Sequence, residues 1–250
     1  MMRASRTVWR LWLGTAVLSL AACATGPNAN PKDPLEPMNR RISTFNDTLD
    51  DNVLKPVASG YKDNVPDLVQ TGVRNVFNNL SDIWSTVNNG LQLKGRDTAE
   101  SFARVVVNTT VGIYGLFDVA SHLNLERHPE DFGQTLGYWG MPSGPYVVLP
   151  LFGPSTARDG VSSFSVDLPN DPLKQVDHIP TRNAATATRL VSRRASLLSA
   201  SNLLEGASID KYAFTRDAYL QYRRSQIYDG NPPDEEEGDR DSDTQPASAP

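Results

Sequence analysis

Residues 132–160 read FGQTLGYWGMPSGPYVVLPLFGPSTARDG, and this stretch decides how the chain can fold. It sets Gly133, Gly137, Gly140, Gly144, Gly153 and Gly160, with Pro142, Pro145, Pro150 and Pro154, among Phe132, Tyr138, Trp139, Tyr146, Val147, Val148, Leu149, Leu151 and Phe152. Loops in water are polar, and helices or central strands exclude this density of Gly and Pro because both weaken regular backbone pairing. A segment both apolar and irregular therefore needs a particular surrounding. Three fit: a buried loop on a globular core, the wall of a cavity, or backbone at membrane depth shielded by the rest of the protein.

The start of the chain narrows the choice. Arg3, Arg6 and Arg10 precede an apolar run over residues 11–22, too short to span a bilayer and arranged as a secretory leader, so residues 1–22 read as a signal peptide. The run ends in Leu20-Ala21-Ala22-Cys23, which resembles the bacterial lipobox and makes Cys23, the chain's one cysteine, the expected lipidation site. A single cysteine forms no internal disulfide, and acyl chains at about 0.8 kcal/mol per buried methylene hold a protein on a membrane almost permanently. Ala24 stands where an aspartate would mark retention at the inner membrane, so the expected address is the periplasmic side of the outer membrane. Residues 23–34, rich in Pro, Asn and Gly, read as a lipidated tether.

Charge is distributed unevenly. The net charge of −5 is carried by the acidic end, residues 231–250, which reads as a disordered tail, and the body between leader and tail is close to neutral. Nucleic acid wants a basic stripe, and none is present. Residues 35–230 are left as one domain.

Within that domain apolar residues recur at three and four. Leu35, Met38, Ile42, Phe45 and Leu49 mark a first helix, ended at Lys55-Pro56; Leu68, Val69, Val73, Val76, Phe77 and Leu80 mark a second over 67–80; a third follows over 81–93, broken by Gly95. Asp97 and Glu100 have capping-box spacing, so a helix is expected to start at Asp97, with Phe102, Ala103 and Val105–Val107 on nearly all sides, which implies a helix that is buried or faces lipid. Residues 181–204 and 208–228 predict two closing helices. The fold class is all-α, with a possible short hairpin in the Gly/Pro segment.

Patterns of catalysis are missing. There is no HExxH, and His122, His128 and His178 are scattered in polar segments, so no metal or cofactor is expected. The Gly153–Ala157 run lacks the second glycine of a nucleophile elbow, and Asp131-Phe132-Gly133 has no phosphate-binding loop beside it. The chain reads as a non-enzyme.

Several separate motifs, in order, carry a resemblance: DPLEPMNR (33–40), the step at Lys55-Pro56, Phe102 with Arg104 and Asn108-Thr109, Asp118-Val119-Ala120, FGQTLGYWG (132–140), GPYVVLP (144–150), GPSTARD (153–159) and Asp217-Ala218-Tyr219. Together they are similar to the MlaA/VacJ family of outer-membrane lipoproteins. The resemblance implies a monotopic ring of amphipathic helices in one leaflet, with a central channel, beside trimeric porins of the OmpC/OmpF type. It also implies a function: removal of mislocalised phospholipid from the outer leaflet and delivery to a periplasmic carrier, MlaC. On that reading Gly133, Gly137, Tyr138, Gly140, Gly144, Pro145 and Tyr146 are the candidate channel or gate segment. Two other classes are weighed against it: a structural envelope lipoprotein, for which no peptidoglycan-binding pattern or long coiled coil is seen, and a lipid hydrolase.

Overall fold

The computed structural model describes residues 30–207 and 209–233, with side chains beyond Leu203 in the first span excepted. The leader, Cys23 and most of the acidic tail lie outside the described residues. Helices dominate: α1 (Glu36–Leu49), α2 (Lys55–Asn64), α3 (Asp67–Leu91), α4 (Gly95–Thr110), α5 (Val119–His122), α6 (Phe132–Tyr138), α7 (Ala157–Ser162), α8 (Ile179–Ala207) and α9 (Lys211–Ile227). Among the described residues the one sheet is a hairpin, β1 (Tyr146–Leu149) antiparallel to β2 (Gly153–Thr156), with Tyr146 opposite Thr156 and Leu149 opposite Gly153. The all-α reading with a short hairpin holds.

Three helix boundaries differ from expectation, each for a local reason. Pro56 does not end the first helix. A five-residue π-turn (Asp50–Leu54) carries α1 into α2, and the Lys55 amide bonds Asp50 O, one residue further back than in a regular turn. The wider turn gives the proline ring room at the start of α2. Nothing interrupts residues 80–81, so α3 is a single 25-residue helix. The capping box is not used. Helix α4 begins at Gly95 without a side-chain cap, and Glu100 pairs with Arg96 (2.8 Å) and His128 (2.9 Å) instead.

The larger surprise concerns which face is buried. In α3 the apolar stripe predicted from spacing exists, but the buried stripe is Gly72, Asn79, Asp82, Ser85, Asn88 and Asn89, while Leu68, Val69, Ile83, Val87 and Leu91 are exposed. In α4, Ser101, Arg104 and Asn108 are buried and Phe102 and Val106 are exposed. The two helices meet through polar contacts: Asn79 Nδ2 donates to Thr109 Oγ1 (2.9 Å), and Arg104 lies 3.4 Å from Asp82. In the described residues polar and charged side chains outnumber apolar ones in the buried set. Apolar cores are small, one of Ala58, Ala195 and Leu198 between α2 and α8, another of Tyr146, Val148 and Tyr212 where β1 meets α9.

The hairpin is positioned by two asparagines of α1 that stand in for a third strand. Asn39 Nδ2 donates to Tyr146 O (3.1 Å) and to Asp33 Oδ1 (2.8 Å), and its Oδ1 accepts from Val148 N (2.9 Å). Two turns on, Asn46 Nδ2 donates to Leu149 O (3.0 Å) and Oδ1 accepts from Leu151 N (2.8 Å). The free edge of β1 is thus satisfied by amide side chains, which repeat the alternation of a β-ladder. Asn39 is fully buried, so Asn39→Ala orphans a buried amide and a buried carbonyl. At about 1–3 kcal/mol for an unsatisfied buried group, a loss of about 2 kcal/mol or more is expected in chemical denaturation. Asn52→Ala, at an exposed position on the same helical run, should change stability by less than about 0.5 kcal/mol. Equal effects of the two would refute the clamp.

Candidate functional site

The Gly/Pro stretch winds around a set of buried charges. Helix α6 is opened by Asp131, whose carboxylate accepts from Gln134 N (2.9 Å), and α7 by Thr156, whose hydroxyl accepts from Asp159 N (3.2 Å). These caps aim both carboxylates at α9. Arg223 forks onto Asp131 with two bonds of 2.6 Å, and its Nε donates to Asp159 Oδ2 (2.9 Å). Tyr219 OH donates to the same Asp159 oxygen (3.1 Å), and Arg158 Nε donates to Asp159 Oδ1 (2.9 Å). Burial pushes the Asp131 carboxyl up, but the Arg223 fork outweighs it and leaves the carboxyl below its ordinary range. Burial alone would lower the Arg223 guanidinium; the bonds to Asp131 and Asp159 raise it. Both shifts favour the charged forms of Asp131 and Arg223.

A second polar group lies on the α3 side of α6. Thr135 Oγ1 donates to Asn88 Oδ1 (2.9 Å), Gln92 Nε2 donates to Glu130 Oε2 (2.9 Å), and Lys94 Nζ reaches Glu130 (3.0 Å) and Asp229 (2.6 Å). Here burial wins: it raises the Glu130 carboxyl against the pull of Gln92 and Lys94. Asp167 is likewise raised by burial, although Trp84 Nε1 (2.8 Å) and Phe132 N (2.9 Å) donate to it.

The seven candidate residues divide between interior and surface. Gly133 and Gly137, one turn apart on α6, face the charges: a Cβ on Gly133 would lie 2.6 Å from Arg223 Nη2 and 2.7 Å from Asp159 Oδ1, and one on Gly137 would lie 2.7 Å from Arg158 Nη1. Tyr146 is buried between Tyr212 and Tyr219 (centroids 6.3 and 6.2 Å), and burial pushes its hydroxyl up to about 12. Tyr138, Gly140, Gly144 and Pro145 are exposed instead, Tyr138 with Lys94 Nζ 5.3 Å from its ring centre. Gly140 (φ +90°) and Gly144 (φ +68°) lie in the left-handed region, and nothing stands within 4 Å of where a Gly140 Cβ would be. Sequence reading missed Asp131, Arg158, Asp159 and Arg223 as a unit. The one available signal was the polar stripe opposite each apolar one.

What fold and site define together is a class: a mostly helical protein whose amphipathy is turned inside out, with apolar side chains outward and paired charges within. In the described residues no helix is long and apolar enough to cross a membrane. The chain belongs to the MlaA lipoprotein family, whose sequence profile matches residues 31–226. It is 34% identical over 215 residues to the intermembrane phospholipid transport system lipoprotein MlaA of Escherichia coli, covering 84% of each chain. The protein of that name from Haemophilus influenzae is 30% identical over 227 residues, covering 86% of this chain and 90% of its own, and an uncharacterised Rickettsia bellii protein is 36% identical over 195 residues, covering 78% and 76%. A solved structure described as the structural basis for maintenance of bacterial outer membrane lipid asymmetry superposes with a TM-score of 0.68 at 34% identity, covering 80% of this chain and 99% of its own.

Close packing at Gly133 gives a direct test of the charge cluster. Gly133→Ala must push the Arg223–Asp159 pair apart and should cost about 1–3 kcal/mol, the usual range for overpacking. Gly60→Ala in α2, where nothing lies within 4 Å of the added carbon, should be neutral or stabilising by up to about 1 kcal/mol. Denaturant midpoints of both variants check this, and an unaffected Gly133→Ala would show that the cluster yields freely.

Proposed function

We propose that this chain is an outer-membrane lipoprotein that withdraws mislocalised phospholipid from the outer leaflet and passes it to the periplasmic carrier MlaC, keeping the two leaflets asymmetric. The observation that carries the reading is the inverted amphipathy. An apolar rim of residues such as Leu68, Val69, Phe102, Val111, Leu151 and Leu197, all at least half exposed, suits acyl chains, and charged groups held inside suit the passage of a polar head. A ring lying in one leaflet around an amphipathic channel accommodates both, and trimeric porins are the neighbours such a ring would have in the membrane. Lipidation at Cys23, reached through the tether of residues 23–34, would keep it there.

In this account no bond is made or broken, and lipid moves down a shaped path, so the protein acts without enzymatic chemistry. The exposed Gly140–Pro145 turn borders that path, and its two left-handed glycines let the backbone bend where a substituted residue would be strained.

Cells lacking their own copy test the reading. Wild type should restore detergent resistance and clear phospholipid from the cell surface, whereas Cys23→Ala should do neither and be lost from the outer-membrane fraction. Gly140→Ala, strained by roughly 1 kcal/mol, should reach the membrane at normal abundance with reduced clearance. Full rescue by Cys23→Ala would overturn the lipoprotein account, and release of free fatty acid from phospholipid by purified protein would favour a hydrolase.

A further inference from the structure

A group of ligating side chains lies outside the interior charges and has no part in the transport account. Residues 124–131 cross the first turns of α4 and bring His128 against them: its Nε2 stands 2.9 Å from Glu100 Oε2 and 3.8 Å from Asp97 Oδ1. Glu126, from the same segment, completes the group, and one ligand atom from each of Glu100, Glu126 and His128 falls within 4.8 Å of the others. We propose that Glu100, Glu126 and His128, with Asp97 as a fourth donor, bind a divalent first-row transition-metal cation that fastens the segment to α4.

Three observations support the site. The first is donor chemistry. One imidazole and two or three carboxylates form a borderline nitrogen and oxygen set, suited to Zn2+ or Mn2+ and unsuited to Cu(I). Without an ion, His128 Nε2–H donates to Glu100 Oε2 (2.9 Å), and a bound cation would take the place of that proton between the same two atoms. Metal bonds of about 2.0–2.2 Å set neighbouring donors about 3.0–3.6 Å apart; His128 Nε2 and Glu100 Oε2, at 2.9 Å, are already that near, and Glu126, exposed to solvent, has to swing in.

The second is preorganisation. The segment's backbone is fixed by residues that ligate nothing: Arg104 Nη1 donates to Leu125 O (2.7 Å), Arg127 Nε to Asp82 Oδ1 (2.6 Å), and the buried Asn89 Nδ2 to His128 O (3.1 Å). His128 is therefore held in place before any ion arrives, as a site built on rigid elements requires. The third is charge. Asp97, Glu100 and Glu126 gather three carboxylates around a single guanidinium, Arg96, whose side chain is 78% exposed and can leave Glu100 for water. A divalent cation would balance what Arg96 leaves uncompensated. Shielding on the protein side, with Glu100 17% and His128 22% exposed, and an open side at Glu126 provide enclosure and entry.

The test uses the full chain purified in detergent and stripped with a chelator, then titrated with ZnCl2 or MnCl2 by calorimetry, with the thermal midpoint read in parallel. The expected result is one equivalent bound and a raised midpoint. His128→Ala and Glu126→Gln should each weaken binding by at least about tenfold, the loss that removing even an outer partner brings. Glu126→Gln changes an exposed side chain and should leave the metal-free midpoint unchanged, so it decides the matter if His128→Ala folds poorly. No binding of either ion to folded wild type would overturn the proposal, as would binding that both variants retain at wild-type affinity.

Discussion

Arg223 holds two carboxylates at once, and the mutual placement of α6, α7 and α9 depends on it. The Arg223 guanidinium and the Asp159 carboxylate, withdrawn from water, lose hydration that only close, well-aligned pairing returns, and removing one partner of such a buried pair typically costs about 3–5 kcal/mol; Asp131, with its side chain 36% exposed, contributes less. The fork onto Asp131 and the bond to Asp159 meet that requirement because two helix caps have already oriented the carboxylates. The glycine-rich composition of α6 follows. Only a helix without side chains at positions 133 and 137 lets the guanidinium groups of Arg223 and Arg158 lie against its backbone.

The same constraint explains the inverted surface. Many inward Asn and Arg side chains bond to a neighbouring element: Asn39 and Asn46 on β1, Asn79 on Thr109, Asn88 on Thr135, Arg104 on Asp82 and Asp118. The apolar stripes are consequently left facing out. A water-soluble domain with this many exposed large apolar side chains would associate, whereas a lipid surface makes the arrangement favourable without any helix having to cross the membrane. The exposed turn at Gly140–Pro145 and the hairpin tip at Leu151 and Phe152 continue the apolar rim.

Much of this was legible before any coordinates. The closing helices, the hairpin and the helical class follow from periodicity and from Gly and Pro placement, and the apolar stripe of α3 was located correctly, whereas α4, read as apolar on nearly all sides, buries a polar face of Ser101, Arg104 and Asn108. Periodicity gives a face, though, not the medium that the face meets, so the outward direction of the α3 stripe was hidden, and for α4 burial and lipid contact both stayed open. Pro56 misled because a π-turn admits a proline that a regular helix rejects. The capping box at Asp97 misled because Glu100 has a stronger partner in His128, which arrives from a segment 28 residues away. The charge cluster was illegible for the same reason: Arg223 lies 92 residues from Asp131 and 64 from Asp159, and no local pattern announces such a pairing.

The central claim is that the outward apolar faces meet lipid. Nitroxide labels placed singly at Leu68, Phe102 and Leu197, with a reference label at the exposed Asp63, can be compared in bilayers for relaxation by oxygen and by a polar nickel chelate. The account predicts that the three apolar positions are accessible to oxygen and shielded from the chelate, while Asp63 shows the reverse. Chelate accessibility at all three equal to that at Asp63 would contradict it.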